Sequence, residues 1–155
     1  MDLRPIDLLP QKAPMAFITA MESVDYDEQK MVTRIDIHDT DLLFQKNING
    51  VPSCAALEYM AQSIACYIGA QDIHVMGETK AVAGFIMGSR DLHFMISKFN
   101  VNESYYVHVQ SLFCDNNLAS FECEIYDSNN MLVAKGSLNA FRPDDINNFM
   151  GDKNE

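Results

Sequence analysis

The sequence predicts an α+β domain in which an antiparallel sheet wraps around one long central helix. Three observations predict it. Residues 51–70 carry apolar side chains at helical spacing on nearly every side, four strand-like runs follow them, and Asp/Asn-rich turns separate the last three runs. A helix that is apolar all round is buried rather than laid on a surface. A single such helix needs a sheet wrapped around it.

Taken in order, Leu8-Leu9-Pro10-Gln11-Lys12-Ala13-Pro14 predicts a short helical turn broken by two prolines. Met15 to Val24 reads as a strand and Asp25 to Lys30 as the turn after it. From Met31 to His38 the chain alternates. Met31, Thr33, Ile35 and Ile37 fall on one side, and Val32, Arg34, Asp36 and His38 on the other, the period of a half-buried strand. These two runs make a hairpin. Asp39 to Gly50 is irregular and polar.

The helix comes next. Leu57, Met60, Ala61, Ile64, Ala65 and Ile68 recur at its period, Pro52 and Ser53 supply start signals, and Gly69 is close to a stop. Polar residues interrupt it too often for a membrane span. Strands are then expected at Ala81 to Phe94, Glu103 to Phe113, Leu118 to Tyr126 and Met131 to Phe141, with hairpin turns at 115–117 and 127–130. From Pro143 the chain turns polar and acidic, so a domain of residues 1–142 and a loosely held tail of 143–155 are expected. A sheet of this kind has exposed edges, which dimerisation would cover. Two strands, one buried helix and an antiparallel run make the pattern of a hot-dog fold.

Composition narrows the function classes. A chain of 155 residues fits one domain with a real core. Its N-terminus, Met1 to Asp7, lacks a long apolar run, so neither a signal peptide nor a membrane span is indicated and a cytoplasmic location is expected. The four cysteines show no CxxC pairing and are expected as free thiols. A formal net charge of −11 repels nucleic-acid phosphates and anionic membranes, so neither is expected as a partner. There is no GxSxG, Walker loop or GxGxxG, and no His/Cys cluster at metal-ligand spacing. No metal or cofactor is expected.

Glu58 is the sharpest feature, the one charged residue between Lys46 and Asp72, in the early turns of a helix predicted to be buried. A carboxylate in such a place is paired, hydrogen-bonded or protonated, because desolvation disfavours its ionised form. A carboxylic acid held near neutrality is what general acid catalysis needs. The alternative is a structural glutamate capping backbone amides or facing a subunit interface. Both readings stand at this level.

Gly50-Val51-Pro52 followed by Leu57-Glu58-Tyr59-Met60-Ala61-Gln62 resembles the β-hydroxyacyl-acyl-carrier-protein dehydratases, whose helix opens after a proline and carries Leu-Glu-x-x-Ala-Gln. Leu8-Leu9-Pro10 with Pro14, Ala83 to Gly88, and Leu132 to Gly136 extend the likeness over nearly the whole chain to Phe141, although the helix motif alone is specific. The Gly-Val-Pro and Glu-Tyr-Met-Ala-Gln pair is most similar to the branch found with aryl-polyene pigment synthesis. The resemblance implies a hot-dog domain that removes water reversibly from a 3-hydroxyacyl chain held as a thioester on an acyl carrier protein. A histidine takes the proton α to the carbonyl and the helix carboxylate assists the departing hydroxyl. By the same resemblance Glu58 is the carboxylate, and Gly50, Val51, Pro52, Gln62, Phe85 and Gly88 bind substrate. Backbone amides between Gly84 and Gly88 would hold the thioester oxygen.

The departure matters as much as the match. The family's histidine lies in a Gly-His-Phe-Pro segment shortly before the helix, and the corresponding stretch here, Phe44 to Gly50, has none. His38 closes a strand, His74 is expected in a loop after the helix, and His93 and His108 fall in strands. Two routes around the gap are open. A neutral group such as Gln45 or Asn49 positions water or substrate while Glu58 works alone, or the chain pairs with a histidine-bearing relative. Family sites lie at the dimer interface, so either a homodimer or such a heterodimer is implied. Two other classes stay in view: a hot-dog thioesterase, and a non-catalytic partner or acyl-binding module. Cys54 is either a thiol activated near a helix N-terminus or a small core residue. Met60, Met87 and Met95 either line an adaptable acyl tunnel or fill the core. Lys12, Arg90, Lys98 and Arg142 are candidates, by charge alone, for the landing site of an acidic carrier protein.

Overall fold

Period-two alternation turns into one buried and one half-exposed face. Met31, Thr33, Ile35 and Ile37 are buried, while Val32, Arg34 and Asp36 between them are only partly covered. A computed structural model of the chain describes residues 3–78, 85–115 and 117–141, with 85–87 as backbone only.

A short helix α1 (Pro5–Leu8) leads to strands β1 (Ala20–Asp25) and β2 (Lys30–Asp36). After a loop come β3 (Gly50–Pro52), a 3-10 turn (Ser53–Ala55) and the long helix α2 (Ala56–Met76). Strands β4 (Phe85–Phe94), β5 (Lys98–Asn100), β6 (Ser104–Asp115), β7 (Leu118–Asp127) and β8 (Leu132–Phe141) follow. Six strands form an antiparallel sheet in the order β1-β2-β6-β7-β8-β4, and β3 pairs with β5 in a separate two-stranded ladder. The fold is the hot-dog arrangement that the sequence predicts.

Register brings buried residues opposite one another: Ile35 faces Tyr105, Val107 faces Ile125, and Phe121 faces Leu138. The helix lies on this apolar face. Tyr67 meets Phe121 of this sheet edge-on at 5.8 Å, and Tyr59 meets Phe99 of the separate β3–β5 ladder at 5.2 Å. Edge-to-face pairs of this kind add to the area they bury. One polar tie crosses the interface. The Ser63 hydroxyl donates to the Tyr59 carbonyl at 2.7 Å and stands 2.7 Å from the Thr33 hydroxyl, which makes Thr33 the donor in that pair. Both residues are fully buried and satisfied, as buried hydroxyls should be.

Several boundaries differ from the sequence expectation. The first strand begins at Ala20 rather than Met15, because residues 15 and 17 bond to a helix side chain instead of a neighbouring strand. The helix runs past Gly69 to Met76. Gly69 is a packing residue, since a Cβ there would stand 3.1 Å from the Leu8 side chain. The true stop is Gly77, whose φ of 81° lets its N–H close on the Ile73 carbonyl at 2.9 Å. His74 therefore belongs to the last helical turn, not to a loop, and stacks on Tyr26 with ring centroids 3.9 Å apart. The β3–β5 ladder was not expected, for strands of three residues carry too little pattern to read. None of the four cysteines is in a disulfide: Cys66 and Cys123 are buried, and Cys54 and Cys114 are exposed. Among the described residues no helix is long and apolar enough to cross a membrane. The expected tail 143–155, Ala81 to Gly84 and Arg142 lie outside the described residues.

Candidate active site

Glu58 sits in the first turn of α2, where the unpaired amides of a helix N-terminus favour a carboxylate. Its side chain is half-buried and forms part of the wall of an open cavity of about 520 Å³. Among the described residues, three segments build the rest of that wall. Met15 and Phe17 come from the stretch before β1, Leu42, Leu43, Phe44 and Gln45 from the loop after β2, and Pro52, Cys54, Ala55 and Leu57 from the approach to α2. Among these described lining residues Glu58 is the one charged group, in a cleft whose other walls are mostly apolar.

One turn further along α2, Gln62 is fully buried and makes three hydrogen bonds. Its amide NH2 donates to the Met15 carbonyl at 2.7 Å and to Oε1 of Glu58 at 2.9 Å, and its carbonyl oxygen accepts the Phe17 N–H at 2.8 Å. The same side chain thus ties the carboxylate to another part of the cavity wall. Phe17 in turn packs edge-on against Tyr59 at 5.9 Å. Burial pushes the Tyr59 phenol above its ordinary range, with nearby Asp41 and Tyr105 adding to the effect, so it stays a neutral hydroxyl.

The loop of residues 44–50, where the resemblance leads one to expect a histidine, is a tight turn. The Gln45 N–H donates to the Gly50 carbonyl at 2.8 Å, the return bond is 3.4 Å, and a 3-10 turn spans Lys46–Ile48. Lys98 clamps it by donating from Nζ to the Ile48 carbonyl at 2.6 Å. Asn49 takes the left-handed conformation with φ 53° and is exposed. Of the two neutral candidates for the missing base, Gln45 lines the cavity and Asn49 does not.

The predicted substrate-binding residues fall into distinct places. Pro52 lines the cavity. Gly50 and Val51 are buried in the β3–β5 ladder, where Val51 faces Phe99 and a Cβ on Gly50 would collide with the Phe99 carbonyl. Gln62 contacts Glu58 but is not among the lining residues. Gly88 is exposed on the edge strand β4, on which Phe85 pairs with Phe141; the Phe85 side chain is outside the described set. None of the four histidines lines the cavity. His38 and His93 are exposed, and the His108 ring lies against Tyr126, where desolvation lowers its pKa. Cys54 is exposed on the cavity wall rather than being a core residue. Of the methionines singled out, Met60 is a fully buried core residue and Met95 is exposed. The lining residues 15, 17 and 42–44 escaped the sequence reading. A signal was present in Leu42-Leu43-Phe44, an apolar triplet inside an otherwise polar loop.

Fold and cleft define a hot-dog protein with, among the described residues, a single wall carboxylate. Within that class the chain matches the ApeP-like family, described as ApeP dehydratase, over residues 3–151, and it belongs to that family. Its fold is similar to that in the dehydratase heterocomplex ApeI:P from Xenorhabdus doucetiae, with a TM-score of 0.84, 23% identity and 93% of each chain covered. The PaaI protein of the E. coli phenylacetic acid degradation operon gives a TM-score of 0.59 at 11% identity, over 79% of this chain and 78% of that one. A hypothetical thioesterase with coenzyme A from Streptococcus pneumoniae TIGR4 gives 0.57 at 8% identity, over 79% and 84%. The sequence matches no curated protein.

Proposed function

We propose that this chain supplies the carboxylate of a 3-hydroxyacyl-thioester dehydratase, acting on chains carried by an acyl carrier protein in fatty-acid or aryl-polyene assembly. The carrying observation is Glu58 as the one charged group in the described wall of a mostly apolar cleft with no histidine on it. Membership of the ApeP-like dehydratase family supports the reaction class. A histidine-bearing hot-dog subunit completes the site, in line with the similar fold seen in a dehydratase heterocomplex. In the reaction the proton on the carbon next to the thioester carbonyl passes to the partner's imidazole. The bond from the β carbon to its hydroxyl breaks, and the oxygen leaves as water with a proton from Glu58. An enoyl thioester remains, and return of the imidazole proton to the carboxylate closes the cycle.

In this reading Pro52 and Leu57 border the acyl chain, and Gly50 and Val51 set Pro52 in place through their ladder with β5. Phe85 and Gly88 lie on the edge strand β4, whose amides would face the thioester oxygen and the second subunit. Exposed Lys12 and Arg90 would meet the acidic carrier, while Lys98 is committed to the loop at Ile48.

The test is dehydration of a 3-hydroxydecanoyl thioester, followed by enoyl absorbance, with the purified chain alone and with a histidine-bearing hot-dog subunit from the same gene neighbourhood. Turnover is expected from the pair and lost with Glu58→Gln. Turnover by the chain alone would replace the heterodimer with a homodimer. Release of free thiol without enoyl product would make it a thioesterase. Paired activity indifferent to Glu58→Gln would leave a non-catalytic subunit.

A further inference from the structure

We infer, on the reading of the cleft as a 3-hydroxyacyl dehydratase site, that Gln45 is the specificity-determining residue that recognises the substrate's 3-hydroxyl. Among the described lining residues, only Glu58, Gln45 and Cys54 bring a carboxylate, an amide or a thiol to the wall. A thiol pairs weakly, whereas a side-chain amide offers two donors and an oxygen acceptor. Gln45 is thus the strong neutral partner on that wall. Its amide is also unspent, for its side chain makes no hydrogen bond to any of the described residues. Gln62 is the opposite case, with its amide satisfied inside the protein and held off the wall.

The backbone beneath Gln45 is fixed. Its N–H donates to the Gly50 carbonyl at 2.8 Å, and its carbonyl accepts the Gly50 N–H at 3.4 Å. Lys98 holds the same loop through the Ile48 carbonyl at 2.6 Å, and across the β3–β5 ladder it pairs with Pro52, another lining residue. A side chain on so anchored a loop gives up only its own rotamer freedom when it meets a ligand. Apolar neighbours sharpen the choice, since Leu42, Leu43 and Phe44 precede it on the wall. A saturated chain packed against them strips water from the amide and leaves it unpaired, which is costly. A hydroxyl on the third carbon repairs this. Its O–H donates to the Gln45 oxygen, and its own oxygen stays open to the proton that Glu58 delivers.

Calorimetric binding of two pantetheine amides, decanoyl and 3-hydroxydecanoyl, to the full chain paired with the histidine-bearing subunit tests this. With an amide in place of the thioester the proton beside the carbonyl is far less acidic, so the ligands persist during the titration. The native pair should bind the hydroxylated ligand roughly 5- to 30-fold more tightly, the range for satisfying one hydrogen bond. Gln45→Met keeps the length of the side chain and removes its amide, at an exposed position that the fold should tolerate. It should bring the two affinities together, weakening the hydroxylated ligand and leaving the saturated one as tight or tighter. A preference that survives Gln45→Met, or none in the native pair, overturns the role of Gln45 while dehydration still stands on its turnover assay. Turnover indifferent to Glu58→Gln would instead sink the dehydratase reading, and the affinity ratio would then decide on Gln45 by itself.

Discussion

Two stretches of α2 are largely buried, its first turns and the run from Cys66 to Ala70, yet different forces hold them. In the first turns Gln62 joins Glu58 to Met15 and Phe17 through three hydrogen bonds, beside an open cleft. Further along, Tyr67 packs on Phe121, Gly69 receives Leu8, and Cys66 and Ala70 are sealed completely. Burial pushes the Cys66 thiol up to about 12, which leaves it an inert apolar side chain. The comparison separates two uses of burial. At the far end it supplies apolar area and close packing, which stabilise the fold. At the near end burial makes each polar contact costly to break, so the geometry of one carboxylate is strictly held.

That contrast can be broken by substitution. The largest effect is expected for Glu58→Gln, which keeps an acceptor for Gln62. It should lower paired dehydration on the order of 100- to 10,000-fold while the thermal melting point barely moves. Phe121→Ala should do the reverse. Emptying the Tyr67 contact costs about 3–5 kcal/mol in denaturant unfolding, with kcat per folded molecule unchanged. Should Phe121→Ala impair turnover as severely as Glu58→Gln, the two stretches would not be functionally distinct.

Gly50→Ala probes the junction between them. The new Cβ meets the Phe99 backbone carbonyl, which cannot swing aside as a side chain would, so a loss of about 1–3 kcal/mol is expected. Because Pro52 sits at the other end of the same short strand, KM should rise as well. The smallest effect lies on the sheet, away from the cleft. Partial desolvation holds His108 below its ordinary value of 6.5, against the raising influence of Glu124. The unfolded chain then binds this proton more readily than the folded one. Stability is present in full above the ordinary value and declines as pH falls from it toward the lowered one. His108→Gln should flatten that slope in chemical unfolding and leave the pH–rate profile alone.

Much of this is legible in the sequence. Period two in residues 31–37 and the apolar, helix-spaced run after Pro52 are local patterns, and each became the expected element. Glu58 stood out because a lone charge in an apolar helix has few cheap places to go. Local pattern failed where a residue served a distant neighbour. Gly69 looks like a helix stop but makes room for Leu8, and residues 15–17 look like a strand but belong to Gln62.

By itself, the sequence determined the central helix, the run of strands around it and the carboxylate it carries, because periodicity and charge act over a few residues. Tertiary structure alone decided what faces that carboxylate. Met15, Phe17 and the 42–45 loop reach the cleft from segments remote in the chain, and Gln62, read from its motif as a substrate contact, lies out of the wall with its hydrogen bonds spent on Glu58 and on the backbone. Such convergence depends on packing between elements, and no spacing along one of them encodes it.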